Sequence, residues 1–451
     1  MLARTTCVLF LACAEALSLT AASPVKLPET VIHAIHLPNG LRALLVEKHD
    51  APVVSVQVWY HVGSKDELPG QTGFAHLFEH LMFQGTKNVG GEDFTGHIVR
   101  AGGWDNAYTT EDATVFWETV PSSHLPVALW LEADRMRNLE ISEKTFNTEK
   151  EVVKEERRLR FDNQPYGTVI ETLYRHAYTV HPYGHLPIGS MEDLDRAALS
   201  DVRGFYDKYY VPQNATLVIV GDFERHQAES LLREYFGPIA RGSVPLERAI
   251  PAEPRQTAER TVKVTLNVAL PAFVAAYHMP ADGTPDAYPL RLAARVLAEG
   301  ESSRLHSRLI YEDQIALQAE SAGNFTEDPN LFFVMAVMNP GHTPGEGKAA
   351  VEKELDRLRT EPVTAAELDK AKNQILRDFV QSRQSVQSLG EQLGYAAIIL
   401  KDPELLDAEL DRFLSVTSDD IQRVARTYFV PENSTLMEVI PAEGAVPKAG
   451  D

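Results

Sequence analysis

Cysteine is almost absent from this sequence: its 451 residues include only Cys7 and Cys13, both within the first 23 positions. Basic residues are also scarce, with 43 Lys and Arg against 64 Asp and Glu and a net charge of −21. Because a nucleic-acid-binding surface must neutralise phosphates, this balance argues against nucleic acid as the main partner. Hydrophobic residues make up 44% and charged residues 24%, as in a globular protein of two or three domains.

The first 23 residues have the pattern of a secretory signal peptide. An early Arg precedes a short apolar run, and small residues follow, so we predict cleavage near Ala22 or Ser23. A lipoprotein signal ending at Cys13 is the alternative. Cleavage would leave a mature chain without cysteine, which disulfide bonds could not stabilise. Because no other run is long and apolar enough to cross a bilayer, we predict a periplasmic or secreted protein with no membrane span.

The sequence contains an internal repeat at an offset of 219 residues. The segment YYVPQNATLVIVGDF at 209–223 matches YFVPENSTLMEVIP at 428–441, and it aligns Asn214 with Asn433. Each copy predicts a helix, a Pro-Asn turn and an apolar strand. A repeat of this period indicates a duplicated α/β domain.

The composition between the two copies predicts an extended linker, because residues 238–260 contain four prolines and little apolar periodicity. We therefore predict an α+β protein with two homologous α/β sandwich domains, each a mixed sheet with helices packed on it. The predicted divisions are a signal peptide at 1–23, an N-terminal domain at 24–240, a linker at 241–260 and a C-terminal domain at 261–445.

The segment GFAHLFEH carries the sharpest chemical signal, through His76, Glu79 and His80. Residues four apart lie on one face of a helix, so both imidazoles can reach one metal ion. Glu79 shares that face and can accept a proton from water at the metal. This is the inverted zincin motif H-x-x-E-H. The alternative is a helix face on which these side chains only share hydrogen bonds.

A catalytic zinc site needs a third protein ligand, and the segment FNTEKEVVKEERR offers several glutamates. In a helix, Glu149, Val152, Val153 and Glu156 form one stripe, which predicts that its two carboxylates face inward and need a partner. Helix geometry favours Glu149 or Glu156 without choosing between them. The alternative is a solvated acidic helix that pairs with its own Lys and Arg.

Two segments resemble the pitrilysin-type zinc peptidases, which include insulin-degrading enzyme and the mitochondrial processing peptidase. They are VGSKDELPGQTGFAHLFEHLMFQGT at 62–86 and FNTEKEVVKEERR at 146–158. The chain is most similar to the small bacterial subfamily that resembles the processing-peptidase beta subunit. The resemblance covers nearly the whole mature chain and implies duplicated α/β domains.

The resemblance also implies a set of site residues. It places one Zn²⁺ per chain on His76, His80 and Glu156, with Glu79 as the general base. Glu149 matches an outer carboxylate of the family that orients the site, so we predict a catalytic role for it as well. Groups outside the ligand set can matter nearly as much as the ligands.

Two further segments match the family. The resemblance of GGWDNAYTTEDATVF at 102–116 to a substrate-binding strand implies that Asn106 and Ala107 engage the backbone of a peptide substrate. The alternative is an ordinary hairpin strand. In HPYGHLPIG, the residue types assign His181 and His185 to a Pro-Gly loop rather than to the metal.

The second half departs from the pattern of the first. Its positions equivalent to the metal ligands are Arg291, Ala294 and Arg295, so we predict a metal-free domain. Relatives use an Arg and a Tyr of this half to bind substrate, and our alignment places Ile310 and Leu317 there. We therefore predict a heterodimer with a zinc-less homologous subunit. A homodimer or a monomer is the alternative.

Together these features predict an exported zinc-dependent metalloendopeptidase that cleaves peptides or unfolded segments. The alternative is a non-catalytic peptide-binding or assembly subunit of the same fold, because the family includes such subunits. The intact set of His76, Glu79, His80 and Glu156 favours the enzyme.

Overall fold

The computed structural model describes residues 29–91, 93–246 and 248–443. The predicted signal peptide at 1–23 lies outside the described residues, as does the predicted C-terminal boundary at 445. Within these ranges, no helix combines the length and the hydrophobicity that a bilayer crossing requires.

The first half of the chain forms a six-stranded mixed sheet with the strand order β1-β2-β6-β3-β5-β4. Its strands are β1 His33–His36, β2 Arg42–Glu47, β3 Val53–Tyr60, β4 Trp104–Thr109, β5 Thr114–Pro121 and β6 Ala215–Gly221. Its α-helices are α1 Phe74–Leu81, α2 Asp93–Arg100, α3 Leu125–Asn138, α4 Glu143–Arg157, α5 Val169–Ala177, α6 Met191–Arg196, α7 Leu199–Tyr209 and α8 Arg225–Tyr235. Strands β2 and β6 are parallel, and the other neighbours are antiparallel.

The second half forms a five-stranded sheet with the order β7-β11-β8-β10-β9. Its strands are β7 Arg260–Leu266, β8 Ala272–Met279, β9 Ala316–Gly323, β10 Asn330–Met338 and β11 Ser434–Pro441. Its α-helices are α9 Ala287–Ala298, α10 Pro344–Thr360, α11 Ala365–Gln381, α12 Val386–Ile398, α13 Leu405–Ser415 and α14 Ser418–Tyr428. Strands β7 and β11 are parallel and the other pairs antiparallel, so this sheet repeats the first without β1. The predicted α+β architecture of two mixed sheets with helices packed on them is confirmed.

The repeated Pro-Asn turn has the same hydrogen bonds in both halves. The side-chain amide of Asn214 donates to the carbonyls of Tyr209, at 2.8 Å, and His61, at 3.2 Å. Asn433 makes the two equivalent bonds, to the carbonyl five residues earlier and to a carbonyl in β8, at 2.8 Å each. The asparagine therefore fixes the strand that follows it against the neighbouring strand in each sheet.

Each half contributes one helix that packs on the sheet of the other half. Helix α12 packs on β3 and β6, where Leu393 and Val218 belong to one buried apolar cluster. Helix α5 packs on the second sheet, where Leu173 and Met437 belong to another. Each half therefore covers a sheet face of the other, and separating the halves would expose both apolar faces to water.

A buried ion cluster joins the two halves. The Lys65 ammonium, whose side chain is 3% exposed, lies 2.7 Å from Asp112, 2.6 Å from Glu327 and 3.1 Å from Asp328. Burial alone would raise the pKa of Glu327, but hydrogen bonds and charge from His61 and Lys65 hold that pKa well below its ordinary value of 4.5. Glu327 is therefore ionised in the folded protein and stabilises it.

We expect the Glu327→Gln variant to lose about 3 kcal/mol of unfolding free energy at neutral pH, because it leaves a buried charge short of a partner. The folded-state pKa of Glu327 is depressed, so its contribution is complete above the unfolded-state value and disappears as the pH falls below it. Urea unfolding should show a wild-type advantage that shrinks below about pH 4.5. An advantage that did not change with pH would contradict this assignment. The control is Glu155→Gln, at a carboxylate that is 56% exposed, which should change stability by less than about 0.5 kcal/mol.

Candidate metal centre

Helix α1 is oriented by an aromatic cluster on its buried side. Its N-cap is Gly73, at φ +92°, which any other residue would strain to adopt. The Phe78 ring packs against the rings of Phe205, Tyr206 and Tyr210 at centroid distances of 5.9, 5.8 and 5.0 Å. This packing fixes the rotation of α1, whose half-buried residues are the two histidines and the glutamate of the motif.

Helix α4 crosses next to α1 and supplies the carboxylates. It begins at the Ser142 cap, whose hydroxyl accepts a hydrogen bond from the first turn. Glu149 and Val153 are buried and Glu156 is half-buried, but Val152 is 44% exposed. The inward stripe is therefore narrower than predicted, because only the i, i+4, i+7 edge of α4 faces α1.

The side chains of His76, His80 and Glu156 converge on one point. Each offers a ligand atom that lies within 4.8 Å of the other two. Glu156 Oε2 is 3.7 Å from His76 Nε2 and 3.2 Å from His80 Nε2. Ligand atoms at about 2.1 Å from a tetrahedral zinc are about 3.4 Å apart, so this donor set fits zinc in both chemistry and spacing.

One carboxylate and one guanidinium contact the cluster from outside. Glu149 Oε2 lies 3.3 Å from His80 Nδ1, the imidazole nitrogen on the far side from the cluster. Arg160 lies 2.7 Å from the other oxygen of Glu156. Burial lowers the pKa of both histidines, but hydrogen bonds to Glu149 and Glu156 raise that of His80 to about 9. His76 has a pKa of about 4, because it is buried beside His80.

Glu79 lies next to the cluster without joining it. Its Oε2 accepts a hydrogen bond from the Thr109 hydroxyl, at 2.7 Å, which ties α1 to the end of β4. Burial raises the pKa of Glu79, although the bond from Thr109 opposes the shift. A carboxylate with a raised pKa is better suited to accept and return a proton near neutral pH.

Strand β4 is an edge strand, paired only with β5. Ala107 is half-buried against the core on the α1 side of the sheet, whereas Asn106 is exposed. The Ala107 N–H donates to the Asn106 side-chain oxygen, at 2.9 Å, so it does not take part in the ladder with β5. The structure therefore places Asn106 and Ala107 on an open edge next to the helix that carries the cluster.

The two loop histidines lie away from the cluster. His185 Nε2 is 2.9 Å from a buried oxygen of Glu67. The His181 ring packs on Tyr183, with 4.3 Å between ring centroids, and its Nδ1 accepts a hydrogen bond from the Tyr183 N–H at 3.1 Å. Both histidines have partners within the fold.

In the second half, the positions equivalent to the histidines of the cluster carry arginines that form ion pairs. On α9, Arg291 pairs with Asp282 at 2.5 Å, and Arg295 pairs with Asp378 at 2.8 Å. The part of the chain that the structure describes contains no further group of three metal-ligating side chains. Leu317, on the edge strand β9, is 61% exposed.

Thr109 and Glu67 are not among the site residues predicted from the sequence. The two-residue period of β4 places Thr109 on the same face as Ala107, and this pattern could have indicated its contact with Glu79. Glu67 accepts hydrogen bonds from the backbone N–H groups of Gly73 and Ala75, at 2.9 and 2.8 Å. It lies too far before α1 for the usual three-residue capping pattern, so no local signal points to it.

The paired mixed sheets and the two-histidine, one-glutamate cluster are those of a zinc-peptidase scaffold. The chain belongs to peptidase family M16, the insulinase or pitrilysin type. Residues 42–188 match the family domain described as insulinase (peptidase family M16), and residues 197–375 match the one described as peptidase M16 inactive domain. The resemblance inferred from the two sequence segments is therefore confirmed.

Several relatives cover most of the chain. It is 34% identical to the zinc protease PqqE of Helicobacter pylori, over 90% of this chain and 92% of that protein. A crystal structure of a protease from Helicobacter pylori superposes with a TM-score of 0.87 at 32% identity, over 92% of this chain and 100% of the other. A probable mitochondrial-processing peptidase subunit beta of Arabidopsis thaliana is 23% identical, over 92% of this chain and 79% of that protein.

The contact between Glu149 and His80 predicts an effect on metal affinity. We expect Glu149→Gln to weaken zinc binding about 10- to 100-fold, because a neutral amide holds the imidazole N–H less strongly than a carboxylate and does not raise its basicity. Competition with a chromophoric chelator measures the change. Glu151→Gln, at a side chain 62% exposed on the same helix, should bind zinc like the wild type. Equal affinities for the two variants would show that Glu149 does not orient His80.

Proposed function

We propose that this protein is a zinc-dependent metalloendopeptidase that cleaves peptides or unfolded segments. The observation that carries the proposal is the convergence of His76 Nε2, His80 Nε2 and Glu156 Oε2, with Glu79 beside them. Two imidazoles and one carboxylate are a donor set of catalytic zinc sites, which keep one coordination position open.

Each residue of the centre has a distinct task. His76, His80 and Glu156 would hold the zinc ion, and Glu149 would keep His80 in its ligating orientation. The bound ion would polarise the scissile carbonyl and lower the pKa of the attacking water. Glu79 accepts the proton of that water and returns it to the leaving amine, while Thr109 holds the Glu79 carboxylate in place.

The open edge of β4 suits an extended substrate. A peptide strand that pairs with this edge would satisfy the backbone groups around Ala107 and displace the side-chain oxygen of Asn106. Main-chain pairing selects for extended, unfolded chain rather than for particular side chains. Because Thr109 joins this strand to Glu79, a peptide on the edge would lie next to the proton acceptor.

We also propose that the active form is a heterodimer with a zinc-less homologue. Ile310 packs against the core of the second half, and Leu317 is an exposed apolar side chain on β9. Neither residue can supply the hydrogen-bond donors that the family resemblance leads us to expect at these positions. A partner subunit that carries the donors would complete the substrate site.

The N-terminal segment supports an exported protein. We propose that residues 1–23 are removed as a signal peptide and that the mature chain is periplasmic or secreted. We further propose that it divides into a zinc-binding domain at 24–240, a linker at 241–260 and a metal-free domain at 261–445.

The catalytic role of Glu79 is tested by Glu79→Gln. We expect the variant to keep its zinc and to cleave a fluorogenic peptide at least about 100-fold more slowly, because the amide cannot accept the proton of the attacking water. The zinc content and the rate of peptide hydrolysis are measured on the same sample. Glu155→Gln, at an exposed residue of α4, is the control and should cleave like the wild type. Cleavage by Glu79→Gln at the wild-type rate would exclude this mechanism.

The heterodimer is tested by assaying the chain alone and then with a zinc-less homologue encoded in the same genome. We expect zinc to be bound in both cases, little cleavage by the chain alone, and stimulation when a 1:1 complex forms in analytical ultracentrifugation. The Glu79→Gln chain mixed with the same partner should stay inactive. Full activity of the isolated chain would support the proposed peptidase activity and refute the proposed need for a partner. Zinc and peptide binding without cleavage in either case would favour a non-catalytic subunit.

A further inference from the structure

A loop that has no part in the proposed chemistry contacts both helices of the metal centre. We call residues 185–193 the brace segment; it follows the Pro-Gly turn of HPYGHLPIG and runs into α6. It contacts the beginning of α1 and the end of α4. The ligands His76 and His80 are on the first helix, and Glu156 is on the second.

At the α1 end, the brace segment supports a buried carboxylate. Gly73 has no side chain to cap α1, and Glu67 takes over this role through its bonds from the N–H groups of Gly73 and Ala75. The Glu67 side chain is 0% exposed, and His185 Nε2 is its third partner, at 2.9 Å. A fully buried carboxylate is stable only when its oxygens are bonded, so His185 contributes to holding the cap in place.

The backbones of the loop and the helix also touch directly. A Cβ built on Gly189, at φ +71°, would lie 2.4 Å from Gly73 Cα, so only glycine fits there. The Thr72 hydroxyl donates to Asp193 at 2.6 Å and accepts from the Ser190 N–H at 3.0 Å. These contacts join the start of α1 closely to the loop.

At the α4 end, the contact comes from the residue next to a ligand. Arg157, which follows Glu156, donates to the Gly189 carbonyl at 2.5 Å. Its other terminal nitrogen donates to Glu171 at 2.7 Å, and the side chain is buried. Gly189 therefore touches α1 through its Cα and α4 through its carbonyl oxygen.

We propose that the brace segment sets the spacing between α1 and α4, with Glu67, His185 and Arg157 as positioning residues for the metal centre. None of the three touches the ligand atoms. They act through the start of α1 and through the Gly189 carbonyl, and so keep the Nε2 atoms of the histidines near Glu156. The proposal rests on the proposed function to the extent that it assumes a bound metal ion.

The test compares zinc affinity with global stability. We expect Glu67→Gln and His185→Leu to weaken zinc binding about tenfold, the lower end of the range for groups that bond a ligand directly, because these two act through the start of α1. His185→Gln, which can still donate to Glu67, should stay within about threefold of the wild type. The control is Thr417→Ala, which removes the side-chain cap of α14, far from the site, and should lower the melting temperature without changing zinc affinity.

The possible outcomes distinguish a specific effect of the brace segment on zinc affinity from a general loss of protein stability. Wild-type zinc affinity in both Glu67→Gln and His185→Leu would overturn the proposal. So would a Thr417→Ala variant that lost as much affinity as they did. If Glu67→Gln did not fold, the His185→Leu and His185→Gln pair would decide the question.

Amide hydrogen exchange on the metal-free chain tests the role of the brace segment independently of the proposed function. We expect the amides of Gly73 and Ala75 to exchange at least about tenfold faster in Glu67→Gln, while those in the middle of α4 stay unchanged. A wild-type chain that bound no zinc would refute the proposed function, and the exchange rates would still support or overturn the brace. Unchanged exchange at Gly73 and Ala75 would overturn it.

Discussion

Helix α1 is under two opposing demands, and the rest of the metal centre depends on how they are met. One side of this eight-residue helix is apolar and buried, and the other carries three ionisable side chains in a partly buried setting. A helix of this length is not stable in isolation, so tertiary contacts must hold it. Burying ionisable groups is costly unless each has a partner. The aromatic cluster around Phe78 packs against the apolar side of the helix and holds it. Glu149, Glu156 and Thr109 provide partners for its ionisable side chains.

The duplicated halves show that architecture and site are separable. Apart from β1, the strands of both sheets have the same order and the same mixture of parallel and antiparallel pairs. This common pattern depends on apolar strands and on the Asn214 and Asn433 turns, none of which belongs to the metal centre. On α9 the positions of the two histidines carry arginines that are each paired with a carboxylate. A guanidinium stays protonated and has no lone pair to offer a metal ion. In the first half, by contrast, ligand atoms of His76 and His80 on α1 and of Glu156 on α4 lie within 4.8 Å of one another. The same scaffold therefore carries a candidate metal centre in one half and ion pairs at the corresponding positions of the other.

The two halves depend on each other for their buried surfaces. Helices α5 and α12 lie on the opposite sheet, and the Lys65 cluster closes the contact between the hairpin turns that follow β4 and β9. Because β4 leads into one of these hairpin turns, the contact between the halves holds the end of β4 that is nearest the turn. The strand that we propose for substrate binding is thus held from two directions, by Glu79 through Thr109 and by the contact between the halves.

The sequence by itself determined the local features: the shared face of His76, Glu79 and His80, the edge of α4 that carries Glu149 and Glu156, and the duplicated domain. Each follows from a helical or repeat period that can be counted along the chain. The period could not choose between Glu149 and Glu156, because both lie on the same edge of α4. Only the tertiary structure placed Glu156 at the Nε2 atoms of both histidines and Glu149 at the far nitrogen of one. It also revealed the roles of Thr109 and Glu67, whose partners lie up to 118 residues away, because such contacts depend on how elements pack and leave no periodic trace in the sequence.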